Sequence, residues 1–321
     1  MTEPIIVSYS ELDTFRQCPL KHHFAYKMRY KKPVKEDSAL AKGSLYHQVM
    51  ETHYKIIMSA QQKVGRSGRI PLPDEKPLLK RIRKAVQAIL RDERTGEFLS
   101  AQHELISWMY DGYVEKYGID RQWKIMAVEH NIVTPLRDAR GRRTRYHIKC
   151  KIDLLVMERA NGRLWVIDHK SGQNLPTQMD LEIDDQFGLY TWAMREMGKP
   201  VAGSIHSANR TTQNAGDKPE NQDAFGQPLK STNKKQSLDQ RMSRTFLSRG
   251  EKELTNLALD AYWAARAAYA PPQYQARYSS PDPRTCGWKC DFKEAHLVMR
   301  KGQKPEKVLH DYGFVIDKTR H

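Results

Sequence analysis

Between residues 146 and 170 the chain carries two alternating apolar runs about a tight turn, a pattern that folds as a β-hairpin. Tyr146, Ile148, Cys150, Ile152, Leu154 and Val156 share one face; His147, Lys149, Lys151 and Asp153 share the other. Asn161-Gly162 is a strong turn signal, because glycine takes left-handed backbone angles without strain. The run at 163–170 then places Trp165 and Ile167 on one face, and Val166, Asp168 and Lys170 on the other. With the turn as a mirror, Asp168 falls across from a position within a residue or so of Asp153. Two carboxylates and an ammonium converge at one end of a sheet.

Hydrolysis of a phosphodiester needs such a set: hard oxygen ligands for Mg²⁺ or Mn²⁺, and a cation beside the attacking water. The lysine can orient or deprotonate that water, or neutralise charge on the five-coordinate phosphorus. Asp168-x-Lys170 by itself equally suits an exposed strand end closed by a salt bridge. Its context argues for more, since it ends the apolar strand Leu164-Trp165-Val166-Ile167 and a second aspartate follows Cys150-Lys151-Ile152.

The rest of the chain reads as helices around this hairpin. Ser10-Glu11-Leu12-Asp13 resembles a capping box, Pro19 ends that short helix, and a second helical stretch covers 20–28. A longer helix is expected over 38–62, with Leu45, Val49, Thr52 and Ile56 on one face and His47, Met50, Glu51 and Tyr54 on the adjacent one. Further helices are expected over 80–94 and 97–117, then a strand over 123–135 and a turn at Asp138-Ala139-Arg140-Gly141. Ser171-Gly172 breaks the second hairpin strand. A helix over 180–197, a strand over 201–207 and a helix over 249–269 follow.

The polar stretch 209–240 reads as a mobile loop or lid. A proline-rich segment spans 271–283, and a basic tail 299–321. The order implies an α/β fold with a small central mixed sheet flanked by helices, in one domain whose catalytic core covers about 38–208.

Composition points to the partner. Among 321 residues, 54 Lys+Arg stand against 38 Asp+Glu, a formal charge of +16. Such a surplus steers polyanions inward, and nucleic acid is the default polyanion. Basic clusters at 21–35, 80–84, 137–145 and 230–249 are interleaved with aromatics such as Tyr26, Tyr30 and Tyr46, which suits phosphate contact and base stacking. No long apolar run offers a membrane span. Met1-Thr2-Glu3-Pro4 has no signal-peptide pattern, so a reducing cytoplasm is expected, where cysteines serve as ligands or buried thiols. There is no Gly-x₄-Gly-Lys-Ser/Thr loop, so any helicase would be a partner.

Four segments in order resemble the RecB-type branch of the PD-(D/E)XK nucleases. They are Gly43-Ser44-Leu45-Tyr46-His47-Gln48-Val49-Met50-Glu51, Lys151-Ile152-Asp153-Leu154-Leu155-Val156, Val166-Ile167-Asp168-His169-Lys170-Ser171-Gly172, and Gln186-Phe187-Gly188-Leu189-Tyr190. The resemblance implies a restriction-endonuclease-like core. It implies that His47, Asp153, Asp168 and the carbonyl of His169 bind Mg²⁺ or Mn²⁺, and that Lys170 is the catalytic lysine. Gln186 and Tyr190, one helical turn apart, would contact the DNA backbone or position Lys170. Glu129 is a further acidic candidate. Cys150 stands where the family usually has glycine.

Cys286-Gly287-Trp288-Lys289-Cys290, together with Cys18, resembles the iron–sulfur subset of these nucleases, which includes AddB-type, CRISPR-adaptation and phage enzymes. There one N-terminal and three C-terminal cysteines hold a [4Fe–4S] cluster that joins the chain's ends near a clasp, here 10–30 and 284–298. His296 occupies the place of the last cysteine. The readings are a cluster with one histidine ligand, a Cys₃His Zn²⁺ site, or no metal. Cys150 is read as a core thiol. Arg244-Thr245-Phe246-Leu247-Ser248-Arg249 also resembles a basic segment of phage members. The implied function is a metal-dependent exonuclease acting on single- or double-stranded DNA ends in recombination, repair or replication, beside a recombinase, annealing protein or helicase. The alternative is a non-catalytic DNA-binding module that keeps the nuclease fold.

Overall fold

The first helix is capped two residues earlier than the Ser10 box implies. Ser8 closes β1 (Ile5–Ser8), and its hydroxyl accepts the N–H of Glu11 at 3.2 Å in the first turn of α1 (Tyr9–Gln17). Pro19 starts α2 (Pro19–His22), followed by one π-helical turn, His23–Lys27, and the short β2 (Tyr30–Lys31). Three helices come next: α3 (Ala39–Val64), α4 (Glu75–Leu90) and α5 (Ala101–Tyr117).

The period then changes to two through β3 (Trp123–Arg137), β4 (Arg143–Glu158) and β5 (Leu164–Gly172). The single helix expected over 180–197 is two, α6 (Gln178–Ile183) and α7 (Asp185–Glu196), because the Asp184 carboxylate caps a fresh start at Gln186 N, 2.8 Å away. Then come β6 (Val201–Arg210), α8 (Leu238–Arg241), β7 (Met242–Leu247) and α9 (Glu251–Ala268). The chain ends with α10 (Lys293–Arg300), α11 (Glu306–Asp311) and β8 (Val315–Ile316). This computed structural model describes residues 3–64, 74–270, 284, 286–287 and 290–318. The proline-rich stretch 271–283 and the end of the basic tail lie outside them. The fold is mixed α/β, a mixed sheet flanked by helices.

The chain divides into two compact units, where the sequence reading has one domain. One holds Met1–Lys35, Val133–Cys150 and Thr255–His321; the other holds Glu36–Ile132 and Lys151–Leu254. In the second unit β5 lies between the end of β4, antiparallel to it, and β6, parallel to it. Leu164-Trp165-Val166-Ile167 is apolar throughout because a central strand buries both faces. β6 in turn pairs antiparallel with β7, a strand the sequence reading did not anticipate. At Gly203 a Cβ would stand 2.2 Å from the carbonyl oxygen of Leu247, so only glycine lets these strands close beside the irregularity at Leu164/Trp165. Helices α3, α4 and α5 cover the sheet. α4 packs onto α3 and α5 through Leu78, Ile82, Val86 and Leu90, one buried residue per turn.

In the first unit β1 runs parallel to the start of β4, Ile5 opposite Tyr146 and Ser8 opposite Lys149. Here the chain's ends meet as the sequence suggests. β2 pairs antiparallel with β8, Asp317 N donates to Arg29 O at 2.7 Å, and Leu20, Phe24, Phe292, Leu309 and Phe314 form a small core. The stretch read as a basic tail thus contributes a helix and a strand.

Candidate active site

α3 delivers His47, and its buried face differs from the expected one. Tyr46, Val49, Met50, His53, Tyr54 and Ile57 are all buried, whereas Leu45 and Ile56 only border the core. Two tyrosines and a histidine pass an apolar count poorly, yet each buries a ring and finds a polar partner. His53 Nδ1 lies 3.0 Å from the Tyr110 hydroxyl, and the Tyr54 and Tyr113 hydroxyls are 2.5 Å apart. His47 sits at the edge of this face with 35 % of its side chain exposed.

The hairpin supplies the carboxylates. Its loop closes by Glu158 N donating to Arg163 O at 2.8 Å, with Gly162 at φ 75°. Leu154 then pairs with Ile167, and one further step sets Asp153 opposite Asp168. Asp153 Oδ2 accepts the main-chain N–H of His169 at 2.6 Å and lies 3.3 Å from His47 Nδ1. Asp168 Oδ2 lies 2.7 Å from Lys170 Nζ. The donor atoms that come within 4.8 Å of one another are those of His47, Glu129 and Asp153, so Asp168 stands beside this trio with its carboxylate toward Lys170. Glu129 reaches the site from β3 in a left-handed backbone conformation, φ 51°, and pairs with Lys151. Sequence spacing supported it weakly; the unusual φ leaves no trace in the sequence.

Burial and neighbours set the charges. Burial works to raise Asp153, but His47 and the His169 N–H outweigh it and hold the carboxyl below its ordinary value. Burial opposes charge on His47, and Asp153 more than offsets it, raising the imidazole. At Asp168 burial wins over Lys170 and pushes the carboxyl up to about 6. At Lys170 the reverse holds: burial is outweighed by Asp168, and the ammonium is raised. Lys170 is therefore a cation at neutral pH.

Gln186 Nε2 donates to the Tyr190 hydroxyl at 2.5 Å along one face of α7. Tyr190 is buried, which leaves Gln186 as the member of the pair that can meet a substrate. Asp184, which caps α7, adds to the negative field on Lys170.

Behind the site lies a buried ion pair that the sequence did not reveal. Arg244 on β7 donates from Nη1 and Nη2 to Asp120 Oδ1 and Oδ2, each at 2.6 Å, with the hydroxyls of Tyr54 and Tyr113 against it. The His169 ring stacks on Tyr54 at 5.5 Å and points into this layer, so only its main chain faces the site. Burial pushes that imidazole down to about 3 and keeps it neutral.

In the other unit Cys18, Cys286, Cys290 and His296 line one cavity of about 250 Å³ with Leu20, Phe24 and Phe292. Burial raises the Cys290 thiol. Cys150 is enclosed, its thiol pushed up to about 12 by burial, as a core thiol requires. Among the described residues no helix is long and apolar enough to cross a membrane.

No curated protein matches the chain. A solved structure described as "Crystal structure of SSO0001" is similar at 14% identity over 68% of this chain and 82% of that one, with a TM-score of 0.30. The family model of the PD-(D/E)XK nuclease superfamily matches residues 6–295, which include His47, the hairpin, Gln186, Tyr190 and the three cysteines of the cavity, and end one residue before His296. With a match across most of its length, the chain belongs to the PD-(D/E)XK nuclease superfamily.

Proposed function

We propose that the protein is a metal-dependent deoxyribonuclease, an exonuclease that removes nucleotides from DNA ends in recombination, repair or replication. The observation that carries this is the gathering of His47, Glu129 and Asp153 within 4.8 Å beside the Asp168–Lys170 pair. Imidazole and carboxylate donors suit Mg²⁺ or Mn²⁺, so the residues fit the ion the family uses. His47, Asp153, Glu129, Asp168 and the His169 carbonyl are the groups that would hold it. When bound, such an ion supplies a hard Lewis acid that polarises the phosphodiester and acidifies water.

The chain's own groups do the rest. Lys170, kept protonated by Asp168, orients the attacking water and balances charge on the phosphorus. Water oxygen bonds to phosphorus in line with the departing 3′ oxygen, leaving a 5′-phosphate. Gln186 holds the backbone of the strand being cut. The formal charge of +16 draws the polyanion to the site.

The cysteine cavity is proposed to hold a [4Fe–4S] cluster. Cys18, Cys286, Cys290 and His296 line one cavity, three thiols and an imidazole that can ligate such a cluster; a Cys₃His Zn²⁺ site is the alternative. A reducing cytoplasm suits this cofactor.

The test is hydrolysis of end-labelled single- and double-stranded DNA with Mg²⁺ or Mn²⁺ by the wild type, Asp168→Ala and Lys170→Ala. Wild-type degradation that both variants abolish supports the reading. Equal degradation by all three, or by none, refutes it in favour of a binding module.

A further inference from the structure

Residues 211–237 leave the sheet where the active site ends. Lys170 pairs with Ala208 and Gly172 with Arg210; the next residue, Thr211, donates its N–H to Gly172 O at 2.8 Å. Thr212 Oγ1 adds a bond to Gln173 O at 3.0 Å. The segment read as a mobile loop is internally tied. Gln236 N donates to Asp217 Oδ1 at 3.2 Å, and a Cβ on Gly216 would stand 2.5 Å from Asn233 O.

From this base projects a small hairpin. Gln222 bridges Pro228, Asp223 N donates to Gln227 O at 2.8 Å, and Gln222 Nε2 donates to Gly216 O at 2.8 Å. The tip is Asp223-Ala224-Phe225-Gly226. The Asp223 carboxylate accepts Phe225 N at 2.9 Å and Gln227 N at 2.8 Å, and Gly226 takes φ 74°. These backbone and side-chain bonds hold up a ring that is 89% exposed. Burial gives Phe225 no stabilisation, so the bonded tip presents an aromatic face to solvent. Lys235 Nζ lies 4.0 Å from where a Cβ on Gly226 would stand. Lys230, Lys234 and Lys235 are exposed, and among the described residues none is in an ion pair.

We propose that Phe225 is a base-stacking residue: the hairpin tip receives an unpaired base of single-stranded DNA while Lys235 beside it meets a phosphate. An aromatic face with an adjacent cation is the combination that single-stranded nucleic acid requires, every base having a π-face and every link a charge. The segment bearing the hairpin leaves from the end of β6, next to the end of β5 that carries Lys170. This rests on the nuclease reading above and specifies its substrate as a strand with unpaired bases.

Fluorescein-labelled oligothymidylate is titrated, in EDTA, with the wild type, Phe225→Ala and Phe225→Trp, and anisotropy is followed. Since the ring is exposed, Phe225→Ala keeps the wild-type thermal midpoint. Its affinity falls about tenfold, the scale of one lost base–aromatic stack. Phe225→Trp keeps its affinity, and its added emission is quenched at saturating DNA. Phe225→Ala binding like wild type, or an unquenched Phe225→Trp, overturns the proposal. If the wild type still degrades DNA in that case, the nuclease reading stands and only the stacking role falls. A wild type that neither binds nor cleaves removes both.

Discussion

The main-chain N–H of His169 donates to Asp153 Oδ2 at 2.6 Å, so the oxygen proposed to meet a metal also clamps β5 to β4. His47 Nδ1 approaches the same oxygen at 3.3 Å. The carboxylate is fixed before a cation arrives, which is what a preorganised site needs.

Asp153→Asn keeps an acceptor oxygen for His169 and removes the charge. Its Mn²⁺ affinity, read by titration calorimetry, should fall by more than the roughly tenfold to hundredfold that loss of an outer-shell partner costs. Its thermal midpoint should change little. Asp153→Ala leaves the His169 N–H unpaired and should lose about 1–3 kcal/mol of stability as well. Equal midpoints for the two variants would mean the clamp carries no stability.

Glu129→Gln tests the proposed ligand that the sequence hardly signalled. Mn²⁺ binding should weaken, because a carboxylate among the three close donors becomes a neutral amide. Unchanged binding would return Glu129 to the role of a partner for Lys151.

Asp120→Asn or Arg244→Met should cost about 3–5 kcal/mol in urea unfolding, since either leaves a buried charge alone. The double variant should recover part of that loss. Additive losses would show that the two residues act independently.

Stability should fall below neutral pH. Burial holds His53 and His206 down to about 4 and His169 to about 3. Below the ordinary histidine value near 6.5 the unfolded chain therefore takes up protons that the folded chain refuses, and folding weakens. Asp168 acts oppositely: its folded value of about 6 exceeds its unfolded one, so it gains a proton on the folded side between about 6 and 4. Three histidines outweigh one carboxyl, so stability falls as pH drops from about 6 to about 4. Urea midpoints that stay flat from pH 7 to pH 4.5 would sink this account.

Anaerobically purified protein should absorb near 400 nm and contain iron, and Cys290→Ser should lose both. Zinc in stoichiometric amount without colour would replace the cluster with a mononuclear site.

The hairpin was legible because its information is local: an Asn-Gly turn, a period of two and Asp168-x-Lys170 on one strand fix the register within a residue. The chain ends meeting at the cysteines was legible through the resemblance. β7 was not, because Arg244 stands among its inward side chains, and a charge on a core face becomes intelligible only with Asp120, 124 positions away. The inner face of α3 was misread for the same reason: Tyr46, His53 and Tyr54 are buried by partners on α5 and beyond. β1 is four residues long and carries too few alternations to register.

His169 occupies the x of Asp168-x-Lys170, and alternation along β5 turns its ring away from the chemistry and onto Tyr54. In a library that randomises this triplet, the middle letter will look silent to any search for reactive groups. It will nevertheless accept few replacements, because it works as a dowel: its volume and neutrality set how deeply the strand seats, and hence where both flanking functional groups stand.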